Sequence, residues 1–307
     1  MNRRRFLTVT AALAGAAALS ARSAPPQIRQ WHGTALGARA TIAFDHPQAA
    51  RLIALARAEI DRLEDIFSLY RPESALARLN RAGQLEAPPF ELLECLSLCG
   101  QVHAASGGRF DPGVQPVWAA HAAAWSAGAA PSAAALAQAR AVSGWQQVED
   151  IGPDRIRLGR PGAALTLNGA AQGVIADRIA DLLRAEGLSD VLVDAGEIAA
   201  RGHMPDGQGW PVTLAGSGRR LVLSDRAVAS SALRGTVFDP AGEVGHILDP
   251  QTGLPADAGF ASVSISAPRA GLADALSTAA CLLPDEAALN QMLAAFPGAR
   301  AEAFTRA

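Results

Sequence analysis

The chain has 307 residues, and all 27 of its basic residues are arginine, because the sequence contains no lysine. This composition excludes a Schiff-base lysine, a phosphate-loop lysine and a lysine general base. A formal net charge of −2 at pH 7 argues against a nucleic-acid-binding protein that relies on a large basic surface.

The first predicted element is an export signal in residues 1–24, MNRRRFLTVTAALAGAAALSARSA. Its positively charged start precedes an Ala/Leu-rich run that is shorter than the roughly 20 apolar residues of a membrane-spanning helix. The pattern Arg-Arg-x-Phe-Leu resembles a twin-arginine signal, and an ordinary Sec signal is the alternative. We therefore expect a mature protein of residues 25–307 in the periplasm, with no transmembrane span.

Beyond the signal, apolar residues recur at helical spacing in several segments. The sequence predicts helices over 47–67, 90–105, 133–142, 171–185, 272–283 and 286–295. Gly107 and Gly108 end the second of these helices, and Ser132 caps the third.

Short apolar or alternating runs between these helices predict strands. They cover 148–151, 155–158, 164–167, 191–193, 211–215, 221–223, 227–230, 262–266 and 301–304. Because the sequence has no repeat and no low-complexity linker, the pattern indicates one compact α+β domain.

The three cysteines are Cys95, Cys99 and Cys281. One disulfide plus a free thiol would suit an oxidising compartment. The pattern favours three small buried hydrophobic residues, and no histidine lies at a spacing that suggests a zinc site.

Two segments combine turn residues with candidate ligand contacts. Tyr70, in Ser68-Leu69-Tyr70-Arg71-Pro72, offers a flat face to a planar ligand, although a tyrosine at a helix end can simply cap the core. The glycines of 107–112, Gly-Gly-Arg-Phe-Asp-Pro, permit close backbone approach to a ligand, and a helix stop followed by a turn is the alternative.

Two further segments suggest phosphate and metal chemistry. The small residues of 167–173 precede a helix, whose N-terminal N–H groups attract phosphate, but they match neither a dinucleotide fingerprint nor a Walker loop. Asp274 and Thr278 are four residues apart on a predicted helix, so their oxygens share a face and suit Mg²⁺. The alternative is an aspartate placed by the helix dipole, with the threonine packed inward.

In this order, the segments resemble the ApbE family, the FAD:protein FMN transferases. The matching stretches are 34–37, 60–74, 79–80, 108–112, 167–177, 193–197, 246–255 and 273–278. The resemblance covers about residues 30–305, nearly the whole mature chain. It implies a single α+β domain with a mixed, largely antiparallel sheet flanked by helices.

The resemblance also implies an activity: magnesium-dependent cleavage of the FAD pyrophosphate and transfer of FMN to a threonine or serine hydroxyl of a target protein, with release of AMP. Tyr70 matches the residue that stacks on the isoalloxazine, and Leu36 stands where the family usually has methionine. Phe110 and Asp111 match the segment that holds adenosine. The implied cofactor contacts are Leu36, Tyr70, Arg109, Phe110, Asp111, Asn168, Val174 and Ile247.

The implied metal ligands are the backbone carbonyl of Ala171 and the side chains of Asp274 and Thr278. A base must also accept the proton of the target hydroxyl. His246 is the first candidate, because its ordinary pKa lies near the operating pH. Asp249 is the second candidate.

Two positions depart from the family pattern. Gln172 stands where many members have lysine, and Ala195-Gly196-Glu197 replaces a Gly-Gly-Asp turn. An FAD pyrophosphatase that releases free FMN and AMP, a non-catalytic FAD-binding maturation factor and a nucleotide-free structural protein are therefore kept as alternatives. The expected acceptor is a flavin-bearing subunit of a membrane redox system.

Overall fold

A computed structural model describes residues 28–257 and 259–307 of the chain, so the predicted signal in residues 1–24 lies outside the described residues. The strands are β1 Arg29–Ala35, β2 Ala38–Phe44, β3 Gln84–Glu86, β4 Val148–Ile151, β5 Arg155–Leu158, β6 Val191–Asp194, β7 Ile198–Arg201, β8 Trp210–Thr213, β9 Arg220–Leu223, β10 Arg226–Ala232, β11 Phe260–Ala267 and β12 Arg300–Arg306. The α-helices are α1 Ala49–Phe67, α2 Ala75–Ala82, α3 Phe90–Ala105, α4 Gln115–Ser126, α5 Ala133–Ala141, α6 Ala171–Ala185, α7 Ala270–Ala280 and α8 Glu286–Ala294.

The central sheet has seven strands in the order β1-β2-β6-β7-β10-β11-β12. Every neighbouring pair in this sheet is antiparallel. Strands β3, β5 and β4 form a smaller sheet, and β8 pairs with β9 in a hairpin. The predicted α+β fold with a largely antiparallel sheet is therefore confirmed.

The two faces of the central sheet are covered by different elements. Helices α6 and α7 pack on one face, with α1 against α6 and α3 against α7. Hairpin β8–β9 covers part of the other face, where Trp210 is fully buried. Strand β7 shows the resulting alternation, since Ala199 belongs to the larger core whereas Ile198 and Ala200 belong to the smaller one.

The amphipathic helix α1 illustrates why the helical predictions succeed. Leu52, Ala56, Ile60 and Leu63 recur every three or four residues and are all buried. Each predicted helix is present, and α3 agrees with the prediction at both ends. The sequence patterns missed β1, β2, β3, β7, α2 and α4.

One predicted strand is wrong. Residues 164–167 are irregular, because Leu165 bonds to a side chain and the Thr166 N–H donates to the Pro112 carbonyl at 2.8 Å instead of to a neighbouring strand. The amide of Asn80 donates to the Leu165 carbonyl at 2.8 Å and accepts from the Leu165 N–H at 2.7 Å. These two bonds satisfy the backbone N–H and C=O of Leu165, which would otherwise have to pair with a neighbouring β-strand.

All three cysteines are buried and carry free thiols, which confirms the prediction of small buried hydrophobic residues. Over the described ranges, none of the helices combines the length and apolar character needed to cross a bilayer.

Candidate active site

A cavity of about 250 Å³ opens between the start of α6, helix α7 and the loops on either side of them. It brings together eight of the residues that the sequence predicts for the site. The predicted cofactor contacts that line it are Arg109, Phe110, Asp111, Asn168 and Ile247. The predicted catalytic and metal-binding residues that line it are His246, Asp274 and Thr278.

The other predicted residues lie outside the cavity wall. Leu36 occupies the turn between β1 and β2, and Tyr70, whose surface is 59% exposed, lies in the loop after α1. Ala171 and Val174 are buried in the first turn of α6. Asp249 lies on a second, neighbouring cavity that shares Arg109 with the first.

Close contact between α6 and α7 places the predicted metal ligands. A Cβ atom added to Gly173 would lie 2.2 Å from the carbonyl oxygen of Ala270, so only glycine permits this approach. The N–H of Gly173 donates to Oδ2 of Asp274 at 3.2 Å. The first turn of α6, which begins at Ala171, is thereby joined to the face of α7 that carries Asp274 and Thr278.

The hydroxyl of Thr278 has protein partners as well. Its Oγ1 lies 3.2 Å from Oγ of Ser231 on β10, and the Ser231 hydroxyl also lies 2.7 Å from that of Ser277. Gly169 lies close by, since an added Cβ atom would be 3.0 Å from Thr278 Oγ1. The threonine is therefore held between the sheet and the glycine-containing turn before α6.

The site holds carboxyl groups whose charged forms are disfavoured by burial. Burial raises the pKa of Asp274 to about 7 and that of Asp194 to about 6. Burial, followed by the negative charges of Asp274 and Asp194, raises the pKa of Glu197 well above its usual range. Among the residues that the structure describes, no arginine forms an ion pair with Asp274 or Glu197. A bound cation would relieve this desolvated charge.

The donor chemistry matches a hard divalent cation. Asp274, Thr278 and the Ala171 carbonyl offer only oxygen, which Mg²⁺ prefers. The described part of the chain contains no cluster of three or more His, Cys, Asp or Glu side chains that could hold a metal. A site with one carboxylate leaves positions for water and substrate phosphate, which is how Mg²⁺ is usually bound.

The orientation of His246 follows from its hydrogen bond. Its Nδ1 lies 2.9 Å from the carbonyl oxygen of Thr236, which can only accept, so Nδ1 carries the hydrogen. Burial lowers the pKa of His246, which favours the neutral ring. A neutral imidazole with hydrogen on Nδ1 has an unprotonated Nε2, as a general base requires.

The carboxylate of Asp249 has two protein partners. Arg109 Nη1 donates to Oδ2 at 3.0 Å, and the Gln251 N–H donates to Oδ1 at 2.7 Å. The side chain is therefore tied into its own turn and to Arg109. Of the two predicted bases, His246 lines the first cavity and Asp249 does not.

Asp111 also uses both carboxyl oxygens within the protein. It accepts from the Gly113 N–H at 2.7 Å and from the Trp145 N–H at 3.0 Å. Burial raises its pKa even though both bonds favour the charged form. The carboxylate shapes the loop that carries Phe110 into the cavity wall.

The sequence analysis did not identify Trp118 or Arg39, which also line the cavity. Trp118 lies on α4, and its ring centroid is 5.4 Å from that of Phe238. Phe238 in turn stacks on His121 at 5.3 Å. Trp118 shares its alanine-rich segment with Trp125, and only the tertiary fold shows that Trp118 faces a cavity.

The chain is similar to proteins of one family along most of its length. The sequence pattern of the ApbE family matches residues 36–301, which include every residue that lines the first cavity. The FAD:protein FMN transferase of Treponema pallidum (strain Nichols) is 33% identical over 271 residues, which cover 78% of this chain and 73% of that protein.

Solved structures agree in fold. A mutant of the flavin transferase ApbE from Vibrio cholerae superposes with a TM-score of 0.77 at 21% identity, covering 92% of this chain and 97% of that one. The apo form of the flavinyl transferase ApbE from Pseudomonas stutzeri superposes with a TM-score of 0.74 at 27% identity, covering 88% of this chain and 87% of that one.

Proposed function

This chain belongs to the ApbE family, and on that premise we propose that it transfers FMN from FAD to a threonine or serine hydroxyl of a target protein, with release of AMP. The observation that carries the proposal is the pairing of Asp274 and Thr278 on one face of α7, in the wall of the first cavity beside the start of α6. A metal ion held there would lie beside the proposed phosphate position, as transfer of a phosphoryl-linked group requires.

We propose that Asp274, Thr278 and the Ala171 carbonyl hold Mg²⁺. The buried Asp274 carboxyl group, which pairs with no arginine in the described part of the chain, supports this assignment, as does the all-oxygen donor set. A bound Mg²⁺ would neutralise charge on the pyrophosphate and on the departing AMP.

Phosphate binding and proton transfer are assigned to the N-terminus of α6, Arg109 and His246. The N-terminus of α6 presents the positive end of the helix dipole to phosphate, and Arg109 adds a fixed cation in the cavity wall. Nε2 of His246 accepts the proton from the acceptor hydroxyl, while the Thr236 carbonyl keeps the ring in the tautomer that this step needs.

The apolar part of the cavity suits the adenosine half of FAD. Phe110, Trp118 and Ile247 line it, and the Phe238 contact holds the tryptophan ring. Flat apolar walls with a few polar groups are typical of nucleoside sites. Leu36 and Tyr70 lie outside this wall and are proposed to contact the isoalloxazine at the other end of the molecule.

We further propose that the mature protein acts in the periplasm, where it would modify a flavin-bearing subunit of a membrane redox system. The signal-like residues 1–24 support this location.

The decisive experiment incubates the mature protein, residues 25–307, with FAD and Mg²⁺, with and without a co-purified candidate acceptor. We expect intact-mass analysis to show FMN added covalently to the acceptor, with one AMP released for each addition. Free FMN and AMP formed equally in both reactions would instead indicate an FAD pyrophosphatase. Bound FAD that is never consumed would indicate a non-catalytic flavin-binding protein.

A further inference from the structure

We propose that Glu64 is a positioning residue that holds the turn carrying Leu36 and the loop carrying Tyr70 in a fixed relation for binding the isoalloxazine of FAD. The inference rests on the proposed function, since it takes Leu36 and Tyr70 as the flavin-contacting pair. It adds a residue that touches neither FAD nor the acceptor and acts through the two loops.

The first observation is the strained turn between β1 and β2. Leu36 and Gly37 connect the paired residues Ala35 and Ala38, and both have positive φ, +47° and +78°. This combination defines a type I′ turn, which favours Asn, Asp or Gly at the first position. Leucine is disfavoured there, so the conformation needs support from the surroundings.

Glu64 supplies that support from α1. The N–H of Leu36 donates to Oε1 of Glu64 at 2.6 Å, across 28 residues of sequence. A charged acceptor makes this a strong backbone hydrogen bond. The carboxylate thereby fixes the turn, and with it the direction of the Leu36 side chain.

The second oxygen of Glu64 reaches the other loop. Oε2 accepts from Nη2 of Arg71, the residue that directly follows Tyr70. Arg71 also pairs with Asp61 at 2.7 Å and Asp65 at 2.6 Å. The Glu64 side chain is only 17% exposed, against 71% for Asp61 and 64% for Asp65, so its ion pair is the least screened by water.

The loop between α1 and α2 transmits the position of Arg71 to Tyr70. Oγ of Ser68 accepts from the N–H groups of both Tyr70 and Arg71, at 3.0 and 3.1 Å. The Ser74 hydroxyl donates to the Ser68 carbonyl at 2.5 Å and caps α2. The loop is therefore stiff, and fixing Arg71 also fixes the backbone of Tyr70.

Asp61 and Asp65 are matched controls within the same helix. Changing either one to asparagine removes a carboxylate from Arg71, but neither aspartate hydrogen-bonds to the Leu36 turn within the described residues. If the two-loop bridge matters, Glu64→Ala must act differently from Asp61→Asn and Asp65→Asn. Adenosine binds elsewhere, so AMP serves as an internal reference.

The experiment measures dissociation constants for FAD and AMP, the fluorescence of bound FAD and the thermal midpoint, all on the full mature protein. For Glu64→Ala we expect FAD affinity to fall about tenfold and bound-flavin fluorescence to rise as stacking loosens, while AMP affinity stays within about twofold of wild type. Asp61→Asn and Asp65→Asn should match wild type in FAD affinity, AMP affinity and bound-flavin fluorescence.

Glu64→Gln supplies a second test if the alanine variant folds poorly. Its amide oxygen can still accept from the Leu36 N–H, but the ion pair with Arg71 is lost, so FAD affinity should lie between wild type and Glu64→Ala. Two outcomes would overturn the positioning role alone. In the first, the affinities for FAD and AMP fall equally and in proportion to the drop in thermal midpoint. In the second, the Glu64 variants behave like the aspartate controls. Wild-type protein that binds no FAD would overturn the proposed function as well.

Discussion

The carboxylate of Asp274 accepts a hydrogen bond from the backbone N–H of Gly173 at 3.2 Å. This bond connects α7 with the first turn of α6, at the point where Gly173 lets the helices approach most closely. The position of a group bound to Asp274 is therefore coupled to the position of α6. The two helices form one binding unit, although about 100 residues of sequence separate them.

Substitution of Asp274 tests the metal assignment. Asp274→Asn keeps the volume of the side chain and an oxygen for the Gly173 N–H, but it removes the negative charge. We expect magnesium-dependent FMN transfer to fall by about 100-fold or more, because metal stabilisation of transition-state charge is worth several kcal/mol. Asp154→Asn, in the exposed β4–β5 turn, is the control and should leave transfer unchanged. Full activity in Asp274→Asn would contradict the assignment.

The raised pKa of Asp274, about 7, predicts how stability depends on pH without metal. An aspartate in the unfolded chain has a pKa of about 3.9, so between about pH 4 and 7 the folded state keeps a proton that the unfolded state has lost. Stability contributed by this group therefore falls as pH rises through that window. Asp274→Asn cannot ionise and escapes the loss.

The measurement compares thermal midpoints of wild type and Asp274→Asn in EDTA at about pH 5 and pH 8. The thermal midpoint of the variant, relative to that of wild type, should be higher at pH 8 than at pH 5. Mg²⁺ should stabilise wild type more at pH 8 than at pH 5. Because the charge of Asp274 also raises the pKa of Glu197, the difference between the two proteins reports the titration of this pair rather than of Asp274 alone. A difference in midpoint that is the same at both pH values would show that Asp274 does not titrate in this range.

The buried thiols make a separate prediction about redox behaviour. Cys95, Cys99 and Cys281 are fully buried, and burial raises the pKa of Cys281 to about 12. Since the thiolate is the reactive form, a thiol reagent should modify none of them in the native protein and all three after denaturation. The thermal midpoint should also be insensitive to reductant. Rapid labelling of Cys95 or Cys99 in the native protein would indicate that α3 opens readily, and rapid labelling of Cys281 would indicate opening at the end of α7.

Periodic patterns explain which parts of the fold could be predicted from the sequence. Helix α3 buries Leu92, Cys95, Leu96 and Cys99 at helical spacing, and its predicted ends agree with the structure. Helix α4 has only two buried residues, Val117 and His121, so it lacked an apolar stripe and was missed. Its alanine-rich sequence has a high helix propensity, but the helix predictions relied on apolar periodicity, which this segment lacks.

The site residues that could not be predicted from the sequence are those that act through contacts between distant segments. The motif order indicated Asp274, Thr278 and His246, and these three residues do meet at one cavity. Glu64 was part of a matching stretch but received no role, because its partners come from the β1–β2 turn and from the loop after α1. Such bridges depend on side-chain reach in the folded protein, which spacing along the chain does not encode.

The position of Gln172 gives the last prediction. This residue lines the cavity in the first turn of α6, and its side chain packs against Gly196, where an added Cβ atom would lie 2.8 Å from Gln172 Cδ. Gly196 belongs to the turn between Asp194 and Glu197, so Gln172 is close to both a buried acidic turn and the expected phosphate position. A lysine here would add a charge-assisted donor beside the phosphates.

We expect Gln172→Lys to raise FAD affinity by about tenfold at low salt, while Gln172→Met, of similar length without charge, should not. The gain should shrink as salt concentration rises, because the new charge lies near solvent and is screened. Titration of FAD at two ionic strengths separates this effect from a change in packing. If the lysine and methionine variants bind FAD equally at both, the charge at this position contributes nothing, and the dipole of α6 together with Mg²⁺ is sufficient to hold the pyrophosphate.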